Sequence, residues 1–263
     1  EIFGSSNIKY DQGQFFTPSV AIKLLIEIIN PKKNELIIDP ACGAGGFLYF
    51  VTKKLIQKNI KKEKIRNQIY GIEKDETLSN MSNIHLSILL NNPANIICAD
   101  SIKKIDYEGK DLSKKFNSKF DIILSNPPFG KKIISAEDNV RKNFDLAYKW
   151  TLDNGSFKKT NILQKRTSPQ ILFLENIIKS LKNEGRAGMV VPESLISTTQ
   201  NFYISDYLLK NCKIIAVIGM PEDLFKTSGK GGTHTKTCLI IFKKSKKNKG
   251  DVYFAEAKWC GHD

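Results

Sequence analysis

Residues 35–47 read Glu35-Leu-Ile-Ile-Asp39-Pro-Ala-Cys-Gly43-Ala-Gly45-Gly46-Phe47, and the fold turns on this stretch. The run up to Ile38 has the apolar character of a buried strand, and a helical pattern follows from about Gly46 to Gln57. A strand that passes through a glycine-rich turn straight into a helix is the opening unit of a doubly wound α/β sheet. Glycines at such a turn let backbone approach a ligand closely, and the helix start offers free N–H groups. Leu48 stands where the dinucleotide fingerprint has its third glycine, so that pattern is excluded. No Gly-Lys-Ser/Thr follows either, which excludes a triphosphate-binding loop. An uncharged or zwitterionic nucleoside fits these residues better.

Working outward, Gln68–Ile72 reads as a second strand ending at Glu73, and Asn95–Ala99 as a third ending at Asp100. Asp39, Glu73 and Asp100 would then line one edge of the sheet, although each alone could equally cap a helix. A carboxylate at the end of the second strand commonly grips ribose hydroxyls, the role expected for Glu73. The Asp100 carboxylate could accept from an adenine amino group. A fourth apolar run, Phe120–Leu124, leads into Asn126-Pro127-Pro128-Phe129. Two successive prolines stiffen this backbone and push each preceding residue toward extended geometry. The Asn126 side-chain oxygen and the Pro127 carbonyl can then aim together at one planar amine, with Phe129 as a flat face for a base. In isolation the tetrapeptide could be no more than a rigid turn.

Elsewhere, Thr17 is read as an N-cap with Pro18 at the first helical position, ahead of the stripe Val20, Leu24, Leu25 and Ile28. Residues 130–167 break the alternation. Their lysines and arginines are interleaved with Phe144, Tyr148, Trp150 and Phe157, which suits either a DNA-facing segment or a helical insertion capping the sheet. Ser168-Pro169 restarts a helix through Leu181 that Gly185 ends, and Ala187–Val191 is the fifth strand. Cys212–Ile218 and Thr237–Phe242 form an antiparallel closing pair, with a flexible glycine-rich loop, Ser228–Thr233, between them. The expectation is one α/β domain over residues 1–263, doubly wound and Rossmann-like. Its mostly parallel sheet has about seven strands, the final one antiparallel. The absence of an initial Met reads as a fragment of a longer chain.

Composition narrows the function classes. The five cysteines are widely spaced with no Cys-X-X-Cys pair, and the three histidines are isolated. Neither a disulfide framework nor a metal site is expected, and a reducing cytoplasm is the expected compartment. No run approaches the ~20 apolar residues of a membrane helix. The net charge of +14 suggests a polyanion, but only Arg66, Arg141, Arg166 and Arg186 are arginine. A chain this rich in Lys, Ile and Asn also reflects an AT-rich coding sequence, so the charge alone says little.

With these motifs in place, the chain resembles the S-adenosylmethionine-dependent DNA adenine N6-methyltransferases, and among them the modification subunits of type I restriction-modification systems. The likeness runs over roughly residues 10 to 245. It includes Gly13-Gln-Phe-Phe-Thr-Pro18, the loop Asp39–Phe47, Asn126–Phe129, Gln170–Leu174, Gly185–Pro192 and Thr237–Phe242. The resemblance implies a class I methyltransferase fold with S-adenosylmethionine as cofactor. It implies that Phe16, Thr17 and Pro18 cover the methionine end of that cofactor. Asp39, Pro40, Ala41, Gly43, Gly45 and Gly46 would form its cradle, with Glu73 and Asp100 completing the pocket. The catalytic set would be Asn126, Pro127, Pro128 and Phe129. Double-stranded DNA and separate specificity and restriction subunits are the implied partners. Ala44 departs from the family's usual Thr, and Gln14 from a commoner Glu. The same tetrapeptide type also serves methyltransferases of RNA and of protein glutamine, and a non-catalytic cofactor-binding subunit is a further alternative.

Overall fold

Strand pairing in the computed structural model radiates from Ile37 and Ile38, which register against Ile69 and Tyr70 on one side and Ile122 and Ile123 on the other, all parallel. The structure describes residues 16–103, 105–106, 111–112, 116–129, 136–225, 235–245 and 250–259. In chain order the elements are α1 (Ser19–Ile29), β1 (Ile37–Asp39), α2 (Gly46–Gln57), α3 (Lys62–Arg66), β2 (Ile69–Glu73), α4 (Glu76–Leu90), β3 (Ile96–Asp100) and β4 (Ile105–Asp106). Then come β5 (Phe120–Ser125), α5 (Asp138–Arg141), β6 (Tyr148–Asp153), β7 (Ser156–Leu163), α6 (Pro169–Ser180) and β8 (Leu181–Pro192). The chain closes with α7 (Ser194–Ser197), α8 (Phe202–Asn211), β9 (Cys212–Gly219), β10 (Thr237–Lys244) and β11 (Tyr253–Glu256).

The sheet order is β11-β9-β10-β8-β5-β1-β2-β3-β4. Strands β3, β2, β1, β5 and β8 run parallel, and β10 lies antiparallel to both β8 and β9. The doubly wound, mostly parallel sheet is as expected, but among the described residues it has nine strands rather than seven. The additions are β4, a two-residue bridge antiparallel to β3, and β11, an edge strand parallel to β9. The antiparallel strand is therefore not the last. All four residues of β11 are exposed, so burial imposes no alternation that a sequence could display.

Side-chain alternation splits the core in two. Ile37, Ile122, Leu124 and Leu239 face α1, α2 and α4. Ile38, Ile72, Ile123 and Met189 face α6 and α8. Helix α1 starts at Ser19 with Pro18 in the capping position, one residue later than expected, and Thr17 makes no cap. Helix α6 stops at Ser180, and Gly185 lies inside β8 rather than at the helix end. There an added Cβ would approach the Phe120 carbonyl oxygen to 3.0 Å.

Residues 136–167 are not a helical cap. Their main feature is a separate two-stranded sheet, β6 with β7, closed by Asn154 and Gly155 at φ 49° and 75°. Two successive left-handed residues give the turn whose twist matches a hairpin. The hairpin is fastened to the body. The fully buried Glu175 of α6 accepts N–H bonds from Asp145 (2.9 Å) and Leu146 (2.8 Å). Trp150 stacks on Tyr203 of α8, with centroids 6.0 Å apart.

Candidate active site

Strands β1, β2, β3 and β5 all end at the same edge of the sheet, and that edge carries Asp39, Glu73, Asp100 and Asn126. The loop after β1 is shaped by its glycines. Gly43 and Gly45 have φ of 53° and 87°, a region open to glycine at no steric cost. At Gly45 a Cβ would lie 2.5 Å from Ser82 Oγ, so the loop packs against α4 with no room for a side chain. At Gly43 a Cβ would meet nothing within 4 Å, which leaves this backbone open to a ligand. The Cys42 N–H donates to the Ile72 carbonyl (3.0 Å), tying the loop to β2.

Two buried carboxylates hold the loop. Asp39 Oδ1 accepts from the Ala41 N–H (3.0 Å) and from the Ser125 hydroxyl (2.8 Å). Glu73 accepts from the Gly43 N–H (2.8 Å) and from the Asp75 N–H (2.9 Å). Burial pushes the Asp39 carboxyl up to about 7, against the pull of its two hydrogen bonds, and Glu73 adds to the rise. Burial likewise raises Glu73, and the Cys42 thiol is held well above its usual range. Among the described residues no cationic side chain contributes to either carboxylate. Unpaired buried carboxylates are costly. A cradle of this kind suits a ligand that brings its own positive charge.

Other expected cofactor contacts divide. Ala41 packs against a cluster containing Ile102, Leu172 and Phe173, and Pro40 borders an apolar recess behind the loop with Ile38, Ile72 and Asn176. A Cβ on Gly46 would stand 3.1 Å from Ile22 of α1, so the first turns of α1 and α2 adjoin. Thr17 and Pro18, both partly buried, and the exposed Phe16 lead directly into that turn of α1. Gly13–Phe15 lie outside the described residues, as does the glycine-rich loop Ser228–Thr233. Asp100 spends Oδ1 on the N–H groups of Ile102 (3.0 Å) and Lys103 (3.2 Å), while Oδ2 sits 3.6 Å from the exposed Lys74 ammonium. Any contact with an adenine amine therefore falls to Oδ2. No group of three or more His, Cys, Asp or Glu side chains suited to a metal occurs among the described residues.

The Asn126 side-chain oxygen is buried and accepts no hydrogen bond from the described residues. Leaving such an oxygen without a donor costs ~1–3 kcal/mol, and an incoming N–H would recover it. Pro127 is buried and Pro128 partly so. Phe129 corrects the sequence reading. Its ring is only 2% exposed and meets Phe225 edge to face, 5.7 Å between centroids, so its face is not open to a base. It anchors the tetrapeptide in the core instead. Sequence reasoning missed Ser125 and Phe225. A small polar residue directly before the tetrapeptide was the available signal for the first, whereas no local pattern marks the second.

A family model described as N-6 DNA Methylase matches residues 3–261. The type I restriction enzyme EcoEI methylase subunit of Escherichia coli is 29% identical over 249 residues, covering 93% of this chain and 45% of that relative. The MpnII methylase subunit of Mycoplasma pneumoniae is 28% identical over 252 residues, covering 93% and 42%. The chain thus spans about half the length of the curated relatives it matches. Among solved structures, a modification subunit from Vibrio vulnificus superposes with a TM-score of 0.70 at 24% identity, covering 97% of this chain and 49% of that one. That likeness carries the fold.

Proposed function

The chain belongs to the N-6 DNA methylase family, and from that premise we propose that it transfers a methyl group from S-adenosylmethionine to N6 of adenine in DNA. Its relatives' names support a role as the modification subunit of a restriction-modification system, and the family resemblance implies specificity and restriction subunits as partners. The observation that carries the reading is the meeting of two motifs at one buried carboxylate, Asp39, which holds both the glycine loop and the residue before Asn126.

Bound S-adenosylmethionine supplies an electrophilic methyl on a cationic sulfur. The loop backbone at Gly43 and the carboxylates of Asp39 and Glu73 would hold such a zwitterionic nucleoside, Glu73 being the residue to accept from its ribose hydroxyls. The adenine amine is a poor nucleophile because its lone pair is conjugated with the ring. Asn126 Oδ1 and the Pro127 carbonyl accept its two N–H bonds and favour a pyramidal nitrogen aimed at the methyl carbon. Alignment of this kind is worth ~7–11 kcal/mol of barrier. A methyl passing to that nitrogen would leave the sulfur with its bonding pair, and the methylated amine would be acidic enough to give its proton to water, so these residues would need to supply no tuned base. The target must leave the duplex, at a cost of a few kcal/mol. The exposed Lys149, Lys165 and Arg166 on and beside the β6–β7 hairpin are candidates for phosphate contacts.

Tritiated methyl transfer to duplex DNA, RNA and protein side by side tests the reading. Label in N6-methyladenine of DNA is the expected result. With the protein assembled with the specificity subunit of its system, label confined to RNA or protein, or bound cofactor without transfer to any polymer, would overturn it.

A further inference from the structure

We propose that Ser125 is a positioning residue that locks the amine clamp to the cofactor cradle, an inference that rests on the methyl-transfer reading above. The ladder between β1 and β5 consists of Ile37 with Ile122 and Ile38 with Ile123, and it stops there. Beyond it the two strand ends carry the cradle and the clamp. Among the described residues, the tie between them past that point is the bond from the Ser125 hydroxyl to Asp39 Oδ1, 2.8 Å long and fully buried. The same Asp39 oxygen accepts from the Ala41 N–H, so one atom fixes the first turn of the cradle and the residue adjoining Asn126. On its other side β5 is held to β8 as far as Ser125 with Met189, which sets the height of the strand but not its approach to β1.

Reactivity in a displacement of this kind depends steeply on alignment, and a misplacement of ~1 Å costs about a hundredfold. Removing the hydroxyl should therefore lower the transfer rate while leaving the cofactor contacts of the glycine loop in place. Ser125→Ala is expected to reduce single-turnover methyl transfer by ~10- to 100-fold, with the dissociation constant for S-adenosylmethionine within ~3-fold by calorimetry at a pH well above the Asp39 midpoint, where the carboxyl is ionised in both proteins. Ser125→Thr, which keeps the hydroxyl, should recover most of the rate. Two signals read the tie independently of turnover. The Asp39 carboxyl carbon should titrate at higher pH in Ser125→Ala, because the carboxylate has lost a donor; Glu73 and Cys42, which also face Asp39, are unaltered. The Asn126 side-chain amide resonances should shift and broaden.

An unmoved Asp39 midpoint would overturn the bond itself. A moved midpoint with unchanged Asn126 signals, or with unchanged transfer, would overturn the positioning role. If the unsubstituted protein, assembled with the specificity subunit of its system, methylates nothing, the methyl-transfer reading fails, and the Asp39 and Asn126 signals still decide whether Ser125 positions the clamp.

Discussion

Binding of the methyl donor should be linked to proton release from Asp39. The carboxyl is fully buried, has no cationic partner among the described residues, and titrates near 7. A cation held beside it favours the ionised form. If the donor binds only that form, its apparent dissociation constant is the intrinsic one divided by the ionised fraction. With a midpoint near 7, affinity should fall about tenfold from pH 8 to pH 6, or ~1.4 kcal/mol. Burial raises Glu73 as well, which acts in the same direction. The demethylated thioether product lacks the positive sulfur, so its affinity should vary far less over the same range. Calorimetry across pH 5.5–8.5, in buffers of different ionisation enthalpy, reads both the affinity and the proton count. Asp39→Asn should flatten the donor's profile. A donor affinity independent of pH, with no protons released, would refute the reasoning. The apoprotein's stability follows from the same shift. The folded state holds the Asp39 proton more tightly than the unfolded chain, whose carboxyl titrates near 3.8. The contribution is complete below that value and is lost as pH rises through about 7, on the order of 4 kcal/mol in all. Denaturant titrations at pH 5 and pH 8, with and without donor, should display it, and the donor should reduce the loss.

Other consequences are more local. Asn126→Ala should abolish methyl transfer while leaving donor affinity nearly intact, and wild-type turnover in that variant would dismiss the clamp. Phe129→Ala should destabilise the fold by ~3–5 kcal/mol in denaturant melts, because the ring is core rather than surface; a loss confined to DNA affinity would restore the stacking role. Gly45→Ala should lower stability and donor affinity together, since the new methyl would meet Ser82 Oγ at 2.5 Å in a left-handed backbone. Thermal melts and calorimetry would register both.

Much of this architecture was legible along the chain because its causes are local. The switch from a buried apolar run to a helical stripe around Asp39–Phe47, with glycines between, specifies a strand, a tight turn and a helix whatever surrounds them. Pairs of prolines stiffen residues 126–129 in the same context-free way. The hairpin at Asn154-Gly155 carried its own turn chemistry too, but the basic and aromatic residues around it pointed to a DNA-facing segment and left its strands unread. Strand β11 gave no signal, because an edge exposed on both faces imposes no alternation.

What the sequence by itself determined, then, was the order of the central strands and helices and the presence of a glycine-rich turn and a proline-stiffened tetrapeptide, since both follow from torsional preferences and hydrophobic period. Only the tertiary structure decided how they act together. Asp39 and Ser125 stand 86 positions apart, and their bond exists because β1 and β5 are neighbours in the sheet. Burial among distant segments removes water from Asp39 and lifts its titration toward neutrality, and packing against Phe225 turns Phe129 from a binding surface into a wall. Desolvation and long-range contact are properties of the folded volume, and no window of sequence contains them.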